Sequence, residues 1–253
     1  MASKKQVAPI EGKAVTGWAD RVKQAAQKQV KAAENIGGGG SPWVSFKGGV
    51  ITVDGASSPN GVMNCVVLGY MQERAWYEAE YDGNNPQSPN CYGYGDADGN
   101  EPPTPHDKAR DKQNPTCKGC QWDEWGSAAK GRGKACRQGV RLALLPATQD
   151  GVEGPVFFAR IPPTSIKNVR GWLQSLGETP CFAVLTEIKV TPSAGNMFDV
   201  FLTPKAQIPT SFQAAIISKL DAAESDLRQP YPELEEAPAK PAARGKVVKR
   251  GKF

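Results

Sequence analysis

The chain predicts an α+β fold, built on an antiparallel sheet or an OB-like, partly open barrel with a zinc-stapled insertion. Three observations predict it. Short apolar runs recur along residues 41–202, several with period-two alternation, and only two segments of 41–228 carry helical periodicity. Four cysteines crowd one stretch, as Cys91, Cys117-Lys118-Gly119-Cys120 and Cys136. That stretch has few apolar side chains of its own, yet strand-like runs flank it.

Residues 1–17 read as disordered, and 18–35 as a helix with Trp18, Val22, Ala25, Ala26, Val30 and Ala33 at helical spacing among Lys and Arg. Gly37 to Gly40 end it. Such a helix, with small residues on its apolar side, is marginal alone in water. It docks on a partner, docks on another copy of the chain, or is a mobile basic arm. Residues 1–40 therefore form an N-terminal unit of basic helix and glycine linker.

The folded body spans 41–228. Trp43–Phe46 and Val50–Val53 are strand-like across the turn Lys47-Gly48-Gly49, and 62–71 is a third strand. The insertion runs from about 82 to 140, and its segment 95–116 is polar and proline-rich. Long structureless loops are uncommon inside compact domains, and the cysteines give this one a reason to exist. Strands resume at Val140–Leu145 and Pro155–Ile161. Thr164 or Ser165 caps a helix with Ile166, Val169, Trp172, Leu173 and Leu176 on one face, and Gly177 stops it. Phe182–Val190 and Phe198–Leu202 alternate across a turn as a hairpin, and 210–228 is a last helix. The tail 229–253, acidic and then basic, reads as disordered.

Net charge is only +5, but it is patterned: residues 62–101 hold seven acids and one base, whereas 125–141 hold five bases and no acid. No apolar run approaches the roughly 20 residues that span a bilayer, and the N-terminus lacks the apolar core of a secretory signal. No membrane association and a cytoplasmic location, in a host cell, are expected. Cysteines there stay reduced and serve as ligands or packed thiols. Cys65 and Cys181 lie in apolar runs and read as core.

Cys91, Cys117, Cys120 and Cys136 follow the spacing C-x25-C-x2-C-x15-C. A close pair can grip one tetrahedral ion, and four thiolates form a closed, structural zinc site. Four cysteines also suit an iron–sulfur cluster, and His106, the sole histidine, is a rival fourth ligand. Metal binding would supply about 10 kcal/mol or more of folding free energy. That would offset a backbone entropy cost of about 1–2 kcal/mol per ordered residue.

The same loop carries the candidate nucleic-acid residues. Lys130, Arg132, Lys134, Arg137 and Arg141 are placed to track phosphates. Tyr92, Tyr94, Trp122 and Trp125 are candidates to stack on unpaired bases. Gly131-Arg132-Gly133-Lys134 is no P-loop, because Ala135 follows the lysine. Glu73, Glu78, Glu80 and Asp82 hold no diagnostic nuclease spacing and read as a solvated acidic face. With one histidine, no catalytic set is legible, so no enzyme is expected.

Several residues carry a resemblance to a family of tailed-phage proteins: Cys91-Tyr92-Gly93-Tyr94, Cys117-x-x-Cys120, Trp125-Gly126-Ser127, Gly131-Arg132-Gly133-Lys134-Ala135-Cys136 and Arg141-Leu142-Ala143. More loosely, the arrangement is similar to the zinc-containing helix-destabilising proteins of T-even phages, whose metal-bearing insertion sits in an OB core. Those proteins have a histidine among their ligands and an acidic tail, whereas this chain ends Lys249-Arg250-Gly251-Lys252-Phe253. The resemblance implies a protein that coats single-stranded DNA in replication or recombination, with Zn2+ as structural cofactor and replication or transcription proteins as partners of the tail. Alternatives are a polymerase-recruiting adaptor, a metal-dependent nuclease and a virion structural protein. DNA and RNA stay undistinguished.

Overall fold

The computed structural model describes residues 43–79, 87–148, 151–152, 154–193 and 198–231. The expected N-terminal helix, Glu80, Asp82 and the tail beyond Tyr231 lie outside them.

The fold is α+β: the described residues form a large, mostly antiparallel sheet and two α-helices. Its axis is β4 (Val62–Trp76), fifteen residues long. One edge of β4 carries β7 (Arg137–Pro146), in register from Cys65↔Pro146 to Ala75↔Arg137, with a bulge between Val67 and Gly69. The other edge is shared. Its first five residues pair with β9 (Val184–Pro192), and its last five pair with β5 (Cys91–Gly95). Beyond β7 lies β8 (Phe157–Ile161), and β8 takes β1 (Trp43–Val44) in parallel. Beyond β5 lies the short β6 (Thr104–Pro105), and β10 (Phe198–Gln207) closes the predicted hairpin on β9. A small separate pair joins β2 (Thr52–Val53) to β3 (Ala56–Ser57). The described strands do not close into a barrel.

Both faces of the sheet are covered, which explains why the second half of β7 reads as the apolar run Leu142-Ala143-Leu144-Leu145 rather than as an alternating one. Leu142 and Leu144 join one cluster with Val169 and Trp172 of α1 (Ile166–Leu176). Ala143 and Leu145 join the other with Ile216, Ala223 and Leu227 of α2 (Thr210–Leu227). Gly69 lets α2 approach, since a Cβ there would stand 3.1 Å from Leu227 Cδ1. Ser165 takes the expected place before α1, but its hydroxyl accepts the Val200 N–H at 2.9 Å instead of capping the helix. Cys65 is fully buried and Cys181 packs against the first cluster, as core cysteines should.

The third strand runs on from 71 to Trp76, and Trp43–Phe46 and Val50–Val53 shrink to Trp43–Val44 and Thr52–Val53. Two further boundaries bear on the site. The insertion is shorter than 82–140, because Cys91–Gly95 and Arg137–Val140 are strands of the main sheet. Apolar content alone hid them, since their neighbours supply the burial. The body also runs past 228. Arg141 donates to the Leu227 and Gln229 carbonyls at 2.9 and 2.8 Å, and Tyr231 donates its hydroxyl to Glu73 at 2.8 Å. Tyr231 also stacks on Trp43 with centroids 5.9 Å apart. A chain ended after Tyr231 will therefore melt like the full chain. One ended after Arg228 will lose about 1–3 kcal/mol, as buried groups lose their partners; thermal melts of both check this.

Candidate metal centre and nucleic-acid interface

Strand parity sorts the site. Trp76 pairs with Cys91 and Arg74 with Gly93, while Arg74 also faces Gln138 of β7. Successive side chains alternate between faces. Cys91, Gly93, Arg74 and Trp76 therefore share one face, and Cys136 enters β7 on that side. Tyr92, Tyr94, Glu73 and Arg141 lie on the other.

Cys117 and Cys120 come over this face on a tight turn. Cys120 N–H donates to the Cys117 carbonyl at 3.4 Å, and Gly119 adopts φ +77°, which disfavours side chains. Cys136 N–H donates to the Trp122 carbonyl at 2.8 Å, tying the returning chain to the turn. Cys91, Cys117, Cys120 and Cys136 all line one cavity of about 20 Å³. A water-sized body needs about 10–15 Å³ on this measure. Gly93 is required first by the β6 backbone, since a Cβ there would run into the Thr104 carbonyl oxygen, and Cys117 Sγ would be the next neighbour at 3.1 Å. Trp122 stacks on Trp76 at 5.0 Å as the cover, and its indole N–H donates to Gln113 at 2.8 Å.

Burial pushes the Cys117 thiol up to about 11 and Cys136 to about 12, and it also raises Cys91. Such thiols are protonated at neutral pH and poor nucleophiles, so an ion must displace their protons. As the side chains stand, no described group of three or more His, Cys, Asp or Glu is arranged to hold a metal ion. The donor set nonetheless suits zinc: four thiols, one cavity. His106 does not line the cavity. Its ring stacks on Tyr92 at 5.1 Å, and Nδ1 accepts the Lys108 N–H at 3.1 Å.

The nine nucleic-acid candidates divide. Tyr92, Tyr94 and Arg141 are 4%, 5% and 0% exposed, so the expectation that they meet nucleic acid is corrected. They face the second cluster because they alternate with the cysteine face. Trp122 is half-buried as the cover. Trp125 is 80% exposed. Lys130, Arg132 and Arg137 are exposed. Lys134 is half-buried, ion-paired with Asp123 at 3.1 Å, and stands 5.7 Å from the Trp125 ring centre.

The acidic face is corrected at Glu73, which is fully buried. Its carboxylate accepts from Arg141 at 2.7 Å and from Arg160 at 2.5 Å. The Arg141 guanidinium also lies 4.7, 4.3 and 5.2 Å from the rings of Trp43, Tyr94 and Tyr231. A fully buried carboxylate paired with two guanidiniums serves the fold and does not belong to a solvated acidic face. Alternation across β4, with Glu73 and Arg74 on opposite faces, was the available signal for this cluster. Nothing in the sequence marked Arg160 or Tyr231 as its partners.

Among the described residues, no helix is long and apolar enough to cross a membrane. In comparisons with known proteins, the chain matches no family model, no curated protein and no solved structure.

Proposed function

We propose that this is a non-enzymatic single-stranded-DNA-binding protein of the tailed-phage four-cysteine type, acting in replication or recombination. Cys91, Cys117, Cys120 and Cys136 hold a structural zinc ion, which when bound supplies rigidity and no reaction chemistry. The long bulged β4, serving β9 with its first five residues and β5 with its last five, is the OB-like element beneath the loop.

One observation carries the reading. Trp125 stands almost bare on the loop between Cys120 and Cys136, with Lys134 beside it and Lys130 and Arg132 exposed nearby. An exposed indole among cations is what an unpaired strand uses: bases stack on the ring and phosphates meet the charges. Arg137, though exposed, alternates onto the Arg141 face of β7 and stands apart from this set.

Anisotropy titrations with labelled oligonucleotides test this. Single strands will bind tighter than duplex, and affinity will fall with salt by about 0.7 log units per log unit for each phosphate neutralised. Trp125→Ala will cost about 1–3 kcal/mol, the usual worth of one stacked base. Equal affinity for both strand forms, or no salt dependence, would sink the reading.

A further inference from the structure

We propose that Arg74 is a positioning residue for the cysteine centre, donating its Nε–H to a metal-bound thiolate and balancing the charge of the four sulfurs. The inference rests on the zinc reading above and adds a residue that the spacing of the cysteines does not point to.

Geometry places Arg74 there. It lies on β4 between the two strands that bring in Cys91 and Cys136, directly across from Gly93 on one side and Gln138 on the other. Cys117 Sγ lies 3.1 Å from where a Gly93 Cβ would stand, and Arg74 pairs with Gly93 on the same face, so its side chain leaves the sheet on the side of that sulfur. Arg74 lines the cavity with all four cysteines.

The guanidinium is also half spoken for. Nη1 donates to Asp123, which sits in the turn after Cys120 and also takes Lys134. Nε is buried and meets no acceptor among the described residues. A buried N–H without an acceptor is rare and unfavourable, and calls for an explanation. Four thiolates around a divalent cation carry a net double negative charge. Their sulfurs then become the strongest acceptors in the cavity, and Nε–H is the donor at hand. Outer partners of this sort orient the ligands and set the affinity for the metal.

The Asp123 ion pair alone could explain why an arginine is present, and the test separates the two roles. The full chain, wild type and two variants, is loaded with Co2+, and its thiolate-to-cobalt charge-transfer band is recorded. Zn2+ affinity is then measured by competition with a chromophoric chelator. Arg74→Lys keeps the charge but lacks Nε. Asp123→Asn breaks the ion pair but leaves Nε in place. Arg74→Lys is expected to shift the band and weaken zinc binding about 10–100-fold. Asp123→Asn is expected to leave the band unmoved. A wild-type band and affinity in Arg74→Lys overturn the inference while the zinc reading stands. An equal band shift in Asp123→Asn also overturns it, because the effect then runs through the ion pair. Failure of the wild type to bind either metal sinks the zinc reading and this inference with it.

Discussion

Cys117→Ser will empty the metal centre, loosen the segment between β5 and β7, and lower single-strand affinity by at least tenfold, while the sheet stays folded. The affinity follows from the loop's composition. Between Gly95 and Arg137 the chain has few apolar side chains to bury, and many of its polar contacts are local. Ordering each residue costs about 1–2 kcal/mol, and a closed thiolate site returns about 10–16 kcal/mol in small zinc domains. Without it, Trp125 and the cations remain on the chain but are no longer held in one arrangement, so binding must also order them. The sheet has independent support, because the buried residues of both apolar clusters all lie outside 96–136. Zinc content will fall from one ion per chain to none. Proteolysis will become fast within 96–136, and the far-UV circular dichroism of the sheet will persist. Chelation of the wild type will reproduce all three changes. Cys181→Ser, which touches the core and not the cavity, will reproduce none of them.

Glu73→Gln will destabilise the fold by about 3–5 kcal/mol, the usual result of removing one partner from a buried ion pair. The size follows from what remains. Arg141 is fully buried and keeps only the Leu227 and Gln229 carbonyls, the Tyr94 hydroxyl and aromatic rings around its charge. Arg160 loses its carboxylate as well, and its Nη2 is already buried without an acceptor among the described residues. Urea unfolding will show the loss as a lower midpoint, and heating will show it as roughly 6–20 °C. Replacing Arg141 and Glu73 together by apolar residues of similar volume will cost less than Glu73→Gln, since Arg160, whose side chain is 22% exposed, is then the one guanidinium of the cluster left without its carboxylate. Oligonucleotide affinity per folded molecule will not change, because the cluster lies on the face opposite the cysteines.

Much of the architecture was legible as local pattern. The α1 helix, the β9–β10 hairpin and the apolar β7 all occur where periodicity puts them, because each buries a face against a neighbour at a fixed repeat. The four cysteines were legible too, and the fold brings them to one cavity from three separate strand and turn positions. Tyr92, Tyr94 and Arg141 were misread. Their residue types suit nucleic acid, but type says nothing about which face a strand presents. The run Cys91-Tyr92-Gly93-Tyr94 contained the answer, since a strand that turns its cysteine to the cavity must turn its tyrosines away.

Residue order alone settled the chemical inventory: which side chains can bind metal, which loop is cationic, and which runs must be strands or helices. Those are properties of neighbours a few positions apart. Partnership across the fold was decided elsewhere. Glu73 meets Arg141 and Arg160 across 68 and 87 positions, and Tyr231 closes the same cluster from 158 positions away. Register between strands sets such meetings, and register is a cooperative result of all the packing at once.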